Sequence, residues 1–192
     1  SDHDNLTQEC ADLRIQCFAM VNEVSQLKQN IHDMEQYSRR DCIEIRGIPT
    51  SEDEDTDEIV KNVGSLIDAN VNDEDISISH RLKTNNSNKR DSPIIVKFIR
   101  RKDKELFYNS RKKLRGKSTR DIGFTRCKEQ PIYITESLSA QNRKIFNKCL
   151  QKKRELKYKF IWTSNGSTLL RKDNDSPVIV IKNESDIDRK LP

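Results

Sequence analysis

A heptad repeat of apolar side chains near the start of the chain constrains its fold more than any other feature. Between residues 6 and 34, apolar or thiol side chains recur at alternating spacings of four and three residues. Because the step from d to a is four, the d positions are Leu6, Leu13, Met20, Leu27 and Met34, and the a positions are Cys10, Cys17, Val24 and Ile31. Such a repeat is typical of a helix that associates with other helices along one seam, and it predicts a coiled coil over residues 1–38.

Charged residues beside the seam favour a parallel arrangement. In a parallel pair, the g positions of one helix face the e positions of the next heptad on the partner. That geometry sets Glu9 against Arg14 and Glu23 against Lys28, and both pairs attract each other. We expect a parallel homo-oligomer, with dimer and trimer both open. The alternative is an amphipathic helix that packs on its own chain.

The segment after the coil alternates between strand and helix patterns. Alternating apolar residues predict strands, and apolar residues at helical spacing predict two helices. The first helix follows an acidic start, and the second is expected to place Leu106, Phe107 and Leu114 inward. The expected strands span residues 42–49, 76–82, 93–99 and 132–135, the helices lie within residues 50–67 and 101–114, and a polar loop covers residues 83–92. This β-α-β-β-α-β order predicts an RRM-like, ferredoxin-like module over residues 39–136.

Residues 137–192 predict a small α/β domain. Ser137 and Ser139 can cap a helix that runs to about Tyr158, and three short strands follow over residues 159–162, 168–171 and 178–181. The expected fold class is therefore α+β, with an N-terminal parallel coiled coil, an RRM-like module and a small α/β C-terminal domain.

Charge is segregated along the chain, although the net charge of its 192 residues is only +5. Residues 97–128 contain thirteen Lys and Arg against three acidic residues, and residues 143–172 contain ten against Glu155 alone. Residues 50–75 contain ten acidic residues against Lys61. Clustered positive charge favours a polyanionic partner, because binding to phosphates releases condensed counterions.

These basic stretches define the candidate interface with single-stranded RNA or DNA. Phe98 is the only aromatic residue on the two central strands, so we expect the cations to follow the phosphate backbone rather than a base platform. Trp162 either stacks on a base or packs in a small core. The residues that we expect at this interface are Arg39, Arg40, Lys97, Arg100, Arg101, Lys102, Lys104, Arg111, Lys112, Lys113, Arg115, Lys117, Lys152, Lys153, Arg154, Lys157, Lys159, Trp162 and Arg171.

Other classes of protein find no support in the sequence. The three histidines are far apart, the acidic run at residues 52–55 lacks the glycine-centred EF-hand pattern, and the cysteines form no CxxC pair. We expect no enzymatic activity, no metal and no cofactor, and mostly buried, reduced thiols. With no membrane-length apolar run and no secretory signal pattern, we expect an intracellular protein of the cytoplasm or nucleus.

Several segments resemble known families. The order of the three regions, together with residues 92–98 and 131–140, is similar to the first open-reading-frame protein of LINE-type non-LTR retrotransposons. Residues 158–172 resemble the C-terminal domain of baculovirus FP (few-polyhedra) protein and its insect retroelement relatives. The resemblance implies single-strand binding, chaperoning and coiled-coil assembly into a ribonucleoprotein, with no catalytic residue. In LINE proteins the coil forms a trimer, and FP proteins are linked to virion and occlusion-body formation.

The expected function is thus self-associating binding of single-stranded nucleic acid, with preference between RNA and DNA open. The alternative is an FP-like structural or scaffold protein that acts through protein contacts.

The heptad repeat yields a test of self-association. Replacing Leu13 and Leu27 with Asp should give monomers, because both charges would be buried without partners at d layers of the seam. Multi-angle light scattering measures the mass directly. An unchanged mass would show that the seam does not hold the chains together.

Overall fold

The structure is a computed structural model that describes residues 2–83 and 92–191. The chain divides into two compact units, Ser1–Ser38 and Arg39–Pro192. Most of the expected polar loop, residues 84–91, lies outside the described residues.

The first unit is a single long helix, α1, at Asp2–Ser38. None of its residues is buried, and the apolar side chains of the heptad seam are about half or more exposed, from 47% at Val24 to 72% at Met34. A helix of this length in water gains most of its stability from packing rather than from intrinsic propensity. The exposed seam therefore remains available for a contact.

The second unit contains two antiparallel sheets and four further helices within its described residues. The elements, in chain order, are β1 Cys42–Arg46, α2 Thr56–Leu66, β2 Ile76–Arg81, β3 Ile94–Phe98, α3 Arg101–Ser110, β4 Tyr133–Glu136, α4 Ala140–Glu155, β5 Phe160–Ser164, β6 Ser167–Arg171, β7 Ile179–Ile181 and α5 Glu184–Lys190. A 3₁₀ helix at Arg111–Leu114 directly follows α3. The mixture of helices and sheets confirms the α+β class.

The first sheet has the strand order β2-β3-β1-β4 and buries one face under α2 and α3. Alternation places Ile43 and Ile45 on the inward face of β1, where both are fully buried. Phe98 of β3 packs on Phe107 of α3, with ring centroids 5.4 Å apart and ring planes tilted by 52°. Phe98 therefore belongs to the core, and the outward face of the two central strands carries no aromatic residue.

The acidic start of α2 has two structural roles. Asp55 caps the helix by accepting hydrogen bonds from the backbone N–H groups of Asp57 and Glu58. Glu54 forms a two-point pair with Arg81, with both nitrogen-to-oxygen distances 2.8 Å. Two members of the run at residues 52–55 therefore have partners within the fold.

The second sheet has the order β5-β6-β7 and packs on α4 and α5. Its core contains Ile145 and Cys149 from α4, Leu170, Ile181 and the C-terminal residues Ile187 and Leu191. Helix α5 was not expected from the sequence, because its seven residues show too short an apolar pattern. The side chain of Asn183 caps it at the backbone N–H of Asp186.

Two expectations about individual residues are wrong. Leu106 is 57% exposed and not inward, because the buried face of α3 carries Lys104, Phe107 and Tyr108 instead. Helix α4 ends at Glu155, close to the expected end at about Tyr158. Only Cys42 and Cys149 are buried, while three of the five cysteines are exposed free thiols. Burial raises the pKa of Cys149 to about 11, which keeps that thiol protonated.

The turn after β1 gives a test of the fold. Gly47 has φ of +88°, and an added Cβ would lie 2.1 Å from the carbonyl oxygen of Pro131. Gly116 has φ of +78° with nothing within 4 Å, so Gly116→Ala should cost only the left-handed conformation, about 1 kcal/mol. Gly47→Ala should cost about 1–3 kcal/mol more, because backbone must also shift. Urea unfolding of both variants measures the difference, and equal losses would contradict the close approach.

Candidate nucleic-acid interface

A buried ion pair joins the two sheets of the second unit. Lys104 of α3 and Glu136 of β4 lie 2.9 Å apart, and both side chains are almost completely buried. Glu136 also accepts hydrogen bonds from the backbone N–H groups of Asn165 and Gly166, at 3.1 Å each, in the turn between β5 and β6. Burial raises the pKa of the Glu136 carboxyl, but the Lys104 ammonium and these donors outweigh it and hold the pKa below its usual range.

Tyr108, one turn further along α3, adds a second link between the sheets. Its hydroxyl donates to the backbone carbonyl of Thr163 in β5 at 3.0 Å. The guanidinium of Arg111 lies 3.7 Å from the centre of the Tyr108 ring and donates to the Tyr108 carbonyl at 2.7 Å. Burial raises the pKa of the Tyr108 hydroxyl, despite the nearby Arg111. Arg111 is thus part of the junction as well as a surface cation.

The exposed cations that follow this junction form a surface that we call the basic turn, made of Lys112, Arg115 and Lys117. All three are exposed, on and just after the 3₁₀ helix. Within the described part of the chain, none of them pairs with a carboxylate. Their charges are therefore free to meet an anion in solution.

Other cations expected at the interface are engaged within the protein. Arg100 pairs with Asp75 and Asp103, and Arg101 pairs with Glu105 and donates to Asn165. Lys113 lies 3.1 Å from Asp68, and Arg40 pairs with Asp41. Lys102 remains exposed at the start of α3.

The assignment of Lys104 to phosphate binding is wrong. Its side chain is 4% exposed, and its ammonium is held by Glu136. An isolated charge at this depth would be costly, so Lys104 stabilises Glu136 and cannot reach a strand in solvent. The signal for this position was the helical spacing, since Lys104 lies three residues before the inward Phe107 and therefore on the same face of α3.

The second basic stretch lies on the end of α4 and on the second sheet. Arg154, Lys157 and Lys159 are exposed, and Lys152 and Lys153 are half-buried. The ammonium of Lys159 lies 5.3 Å from the centre of the Phe160 ring.

Trp162 lies on the side of the second sheet that faces away from α4. It is half-buried beside Leu169 of β6, and Phe160 and Arg171 face each other two residues further along the same pair of strands. Trp162 is not among the described residues that form the second core. Arg171 donates to the carbonyl oxygens of Ser176, at 2.9 Å, and Asn174. The register therefore places Arg171 on the same face of the sheet as the ring, opposite Phe160, and such a face suits stacking.

The outward face of the first sheet carries residues that the sequence reasoning missed. Tyr133 of β4 is 56% exposed and lies directly opposite Arg46 of β1. The alternation of Ile132 and Ile134, both buried, is the sequence signal that points Tyr133 outward. Lys97, which was expected at the interface, is exposed on this face opposite Cys42.

At the start of the unit, Arg39 is half-buried and donates to the hydroxyl of Ser137 at 3.4 Å. The described residues contain no group of three potential metal ligands. No helix among them is long and apolar enough to cross a membrane.

These features define a class of α+β protein in which a long exposed helix is joined to a two-sheet unit with exposed cations. A comparison with family models adds a more particular likeness. Residues 139–191 match the model of Baculovirus FP protein domain 2. The match begins at Ser139, which caps α4 through the backbone N–H of Asn142, and ends at Leu191, the last residue of the second core.

The expected FP resemblance is therefore confirmed for this segment, whereas the LINE resemblance stays a prediction. A search of curated proteins gave no match to the chain.

The buried pair gives a prediction about stability. Lys104→Met should cost about 3–5 kcal/mol, because it leaves the Glu136 carboxylate buried without its ammonium. Lys113→Met is the matched control, and it should cost at most about 1 kcal/mol, since the Lys113–Asp68 pair is largely exposed. Urea unfolding at pH 7 measures both.

The same pair sets the direction of the pH dependence. Because the folded pKa of Glu136 lies below its usual 4.5, the stability that it contributes is present above that value and is lost as the pH falls through the folded pKa. Lys104→Met should lose less stability over that acid range, because burial without the ammonium raises the pKa of the Glu136 carboxyl. A variant with the wild-type stability and acid profile would contradict the role of the pair.

Proposed function

We propose that this protein is a self-associating, non-enzymatic binder of single-stranded nucleic acid, RNA or DNA. The observation that carries the proposal is the basic turn, whose three cations are exposed without carboxylate partners among the described residues. Buried pairs such as Lys104–Glu136 serve the fold, but exposed unpaired cations repel one another and gain from a polyanion that releases its counterions.

The topology of the first sheet supports an RRM-like reading. Strands and helices in the order β-α-β-β-α-β, with β1 and β3 central and β2 and β4 at the edges, follow the plan of RRM domains. The outward face lacks an aromatic residue on β1 and β3, so we assign the main binding role to phosphate groups at the basic turn.

Self-association is proposed through α1. Its seam leaves Leu13 and Leu27 each 51% exposed in one chain, and a parallel coiled coil would cover them. Joining two or three weak basic modules raises their effective concentration on one strand, so avidity replaces tight binding at each site. An assembly of this kind suits a ribonucleoprotein of the cytoplasm or nucleus, including that of a retroelement.

The FP-like match to residues 139–191 favours a second candidate, a structural or scaffold protein. In that case the exposed seam and basic surfaces would bind proteins rather than nucleic acid. Retention of RNA on a filter at two salt concentrations separates the two functions.

The basic turn gives the test of the main proposal. Lys112→Glu with Arg115→Glu should weaken binding of single-stranded RNA steeply and flatten the salt dependence by about 0.7 in log–log slope for each phosphate that the protein no longer neutralises. Arg111 stays unchanged because it packs on Tyr108. A fluorescence anisotropy titration at several salt concentrations measures both quantities.

The matched control is Lys83→Glu with Lys182→Glu, which makes the same change of charge at two exposed lysines outside the basic stretches. Circular dichroism confirms that both proteins fold, since exposed substitutions usually change stability by no more than about 0.5 kcal/mol. If both variants lose affinity equally, binding depends only on net charge. If neither loses any, the basic turn is not the interface.

A further inference from the structure

Three side chains converge on the outward face of the first sheet, away from α2 and α3. Glu44 of β1 is only 1% exposed although it lies on this face. One of its carboxylate oxygens accepts from Arg46, and the other accepts from Arg143 of α4 at 2.7 Å. The hydroxyl of Ser137 lies 3.5 Å from the same carboxylate. A single buried carboxylate thus holds two guanidinium groups in place.

Both arginine side chains also reach solvent. The side chains of Arg46 and Arg143 are 41% and 45% exposed, and each guanidinium has further N–H donors beyond the one that bonds Glu44. Arg39, which donates to Ser137, and Lys97, on the same face opposite Cys42, add two positive charges around the one carboxylate of Glu44. The local charge is therefore positive, and the guanidinium groups are held without a further entropic cost on binding.

Tyr133 adds an aromatic surface to this cluster. The strand register places it directly opposite Arg46, where the Cβ atoms of antiparallel partners lie about 5 Å apart. Tyr133 is 56% exposed, whereas the buried tyrosine of the junction, Tyr108, is 8% exposed. Exposed aromatic rings beside fixed cations are the elements that single-strand binders use, one for the base and the other for the phosphate.

We infer that Tyr133, Arg46 and Arg143 form a nucleotide subsite in which a base stacks on Tyr133 and its phosphate meets the two arginines. The inference rests on the proposed function and extends it to a surface on the other side of the sheet from the basic turn. β4 is an edge strand, and the 3₁₀ helix that carries the basic turn packs beside it on the inward side. A flexible single strand passes round this edge from the basic turn to Tyr133, which a rigid duplex cannot do.

The test uses the whole 192-residue chain and an RNA oligonucleotide that contains 2-aminopurine, whose fluorescence falls when the base stacks. Wild type and Tyr133→Phe should quench the fluorescence, and Tyr133→Ala should quench less and bind roughly 5- to 150-fold more weakly, the loss of about 1–3 kcal/mol of stacking. For an oligonucleotide with an abasic site in place of 2-aminopurine, Tyr133→Ala should bind as wild type does.

The arginines are tested separately from the ring. Arg46→Gln should lower affinity and flatten the salt dependence by about 0.7 in log–log slope without removing the quenching. Arg189→Gln is the matched control, because Arg189 is also an exposed arginine paired with a buried carboxylate, that of Asp186, and should change neither quantity. Thermal melts followed by circular dichroism verify that each variant is folded.

The outcomes separate this inference from the proposed function. If wild type binds RNA and the variant of the basic turn does not, but Tyr133→Ala quenches and binds as wild type does, only the nucleotide subsite is overturned. If Trp162→Ala loses the quenching and Tyr133→Ala keeps it, the base stacks on the second sheet. That result would also overturn the nucleotide subsite at Tyr133. If wild type does not bind RNA, the nucleotide subsite and the proposed function are both overturned. They are also both overturned if wild type binds polyglutamate instead of RNA and Tyr133→Ala loses that binding.

Discussion

The architecture of the second unit depends on one buried carboxylate, Glu136. It lies at the end of β4, takes the ammonium of Lys104 from α3 and caps two backbone N–H groups in the turn between β5 and β6. Burying either charge alone would cost several kcal/mol, so the pair is stable only when the two sheets bring all these donors together. Tyr108 repeats the link one turn later, through Thr163. These bonds hold the turn between β5 and β6 against the first sheet, and the 3₁₀ helix that follows Tyr108 begins at this junction.

Two carboxylates thus organise the cations of this unit in different ways. Glu136 withdraws Lys104 from solvent entirely, whereas Glu44 holds Arg46 and Arg143 while leaving each partly exposed. The difference follows from the side chains, since an ammonium is a compact charge that one site can enclose, and a guanidinium has donors left to offer outward. In the proposed function, these oriented arginines and the unpaired cations of the basic turn act on one strand, and the helix α1 multiplies their effect by joining several copies.

Much of this structure was accessible from particular residues. The 4-3 spacing predicted the long helix, and the apolar alternation located all seven strands to within a few residues, because side-chain period follows directly from backbone geometry. Helix α5 escaped, since seven residues hold too little periodicity and its caps come from Asn183. The candidate interface was only partly accessible. Lys104 is identical in type to its exposed neighbours, whereas the outward position of Tyr133 follows from the two buried isoleucines that flank it.

The sequence by itself determined what depends on neighbours along the chain: the heptad seam of α1, the periods of strands and helices, and the segregation of charge between residues 50–75 and 97–128. Only the tertiary structure decided which charges are available. Lys104 faces a buried carboxylate rather than water because of Glu136, 32 residues away. Arg143 belongs to a sheet face rather than to the surface of its helix because of Glu44, 99 residues away. Such pairs carry no local signal, because their energy arises from desolvation and distance in the folded chain rather than from spacing in the sequence.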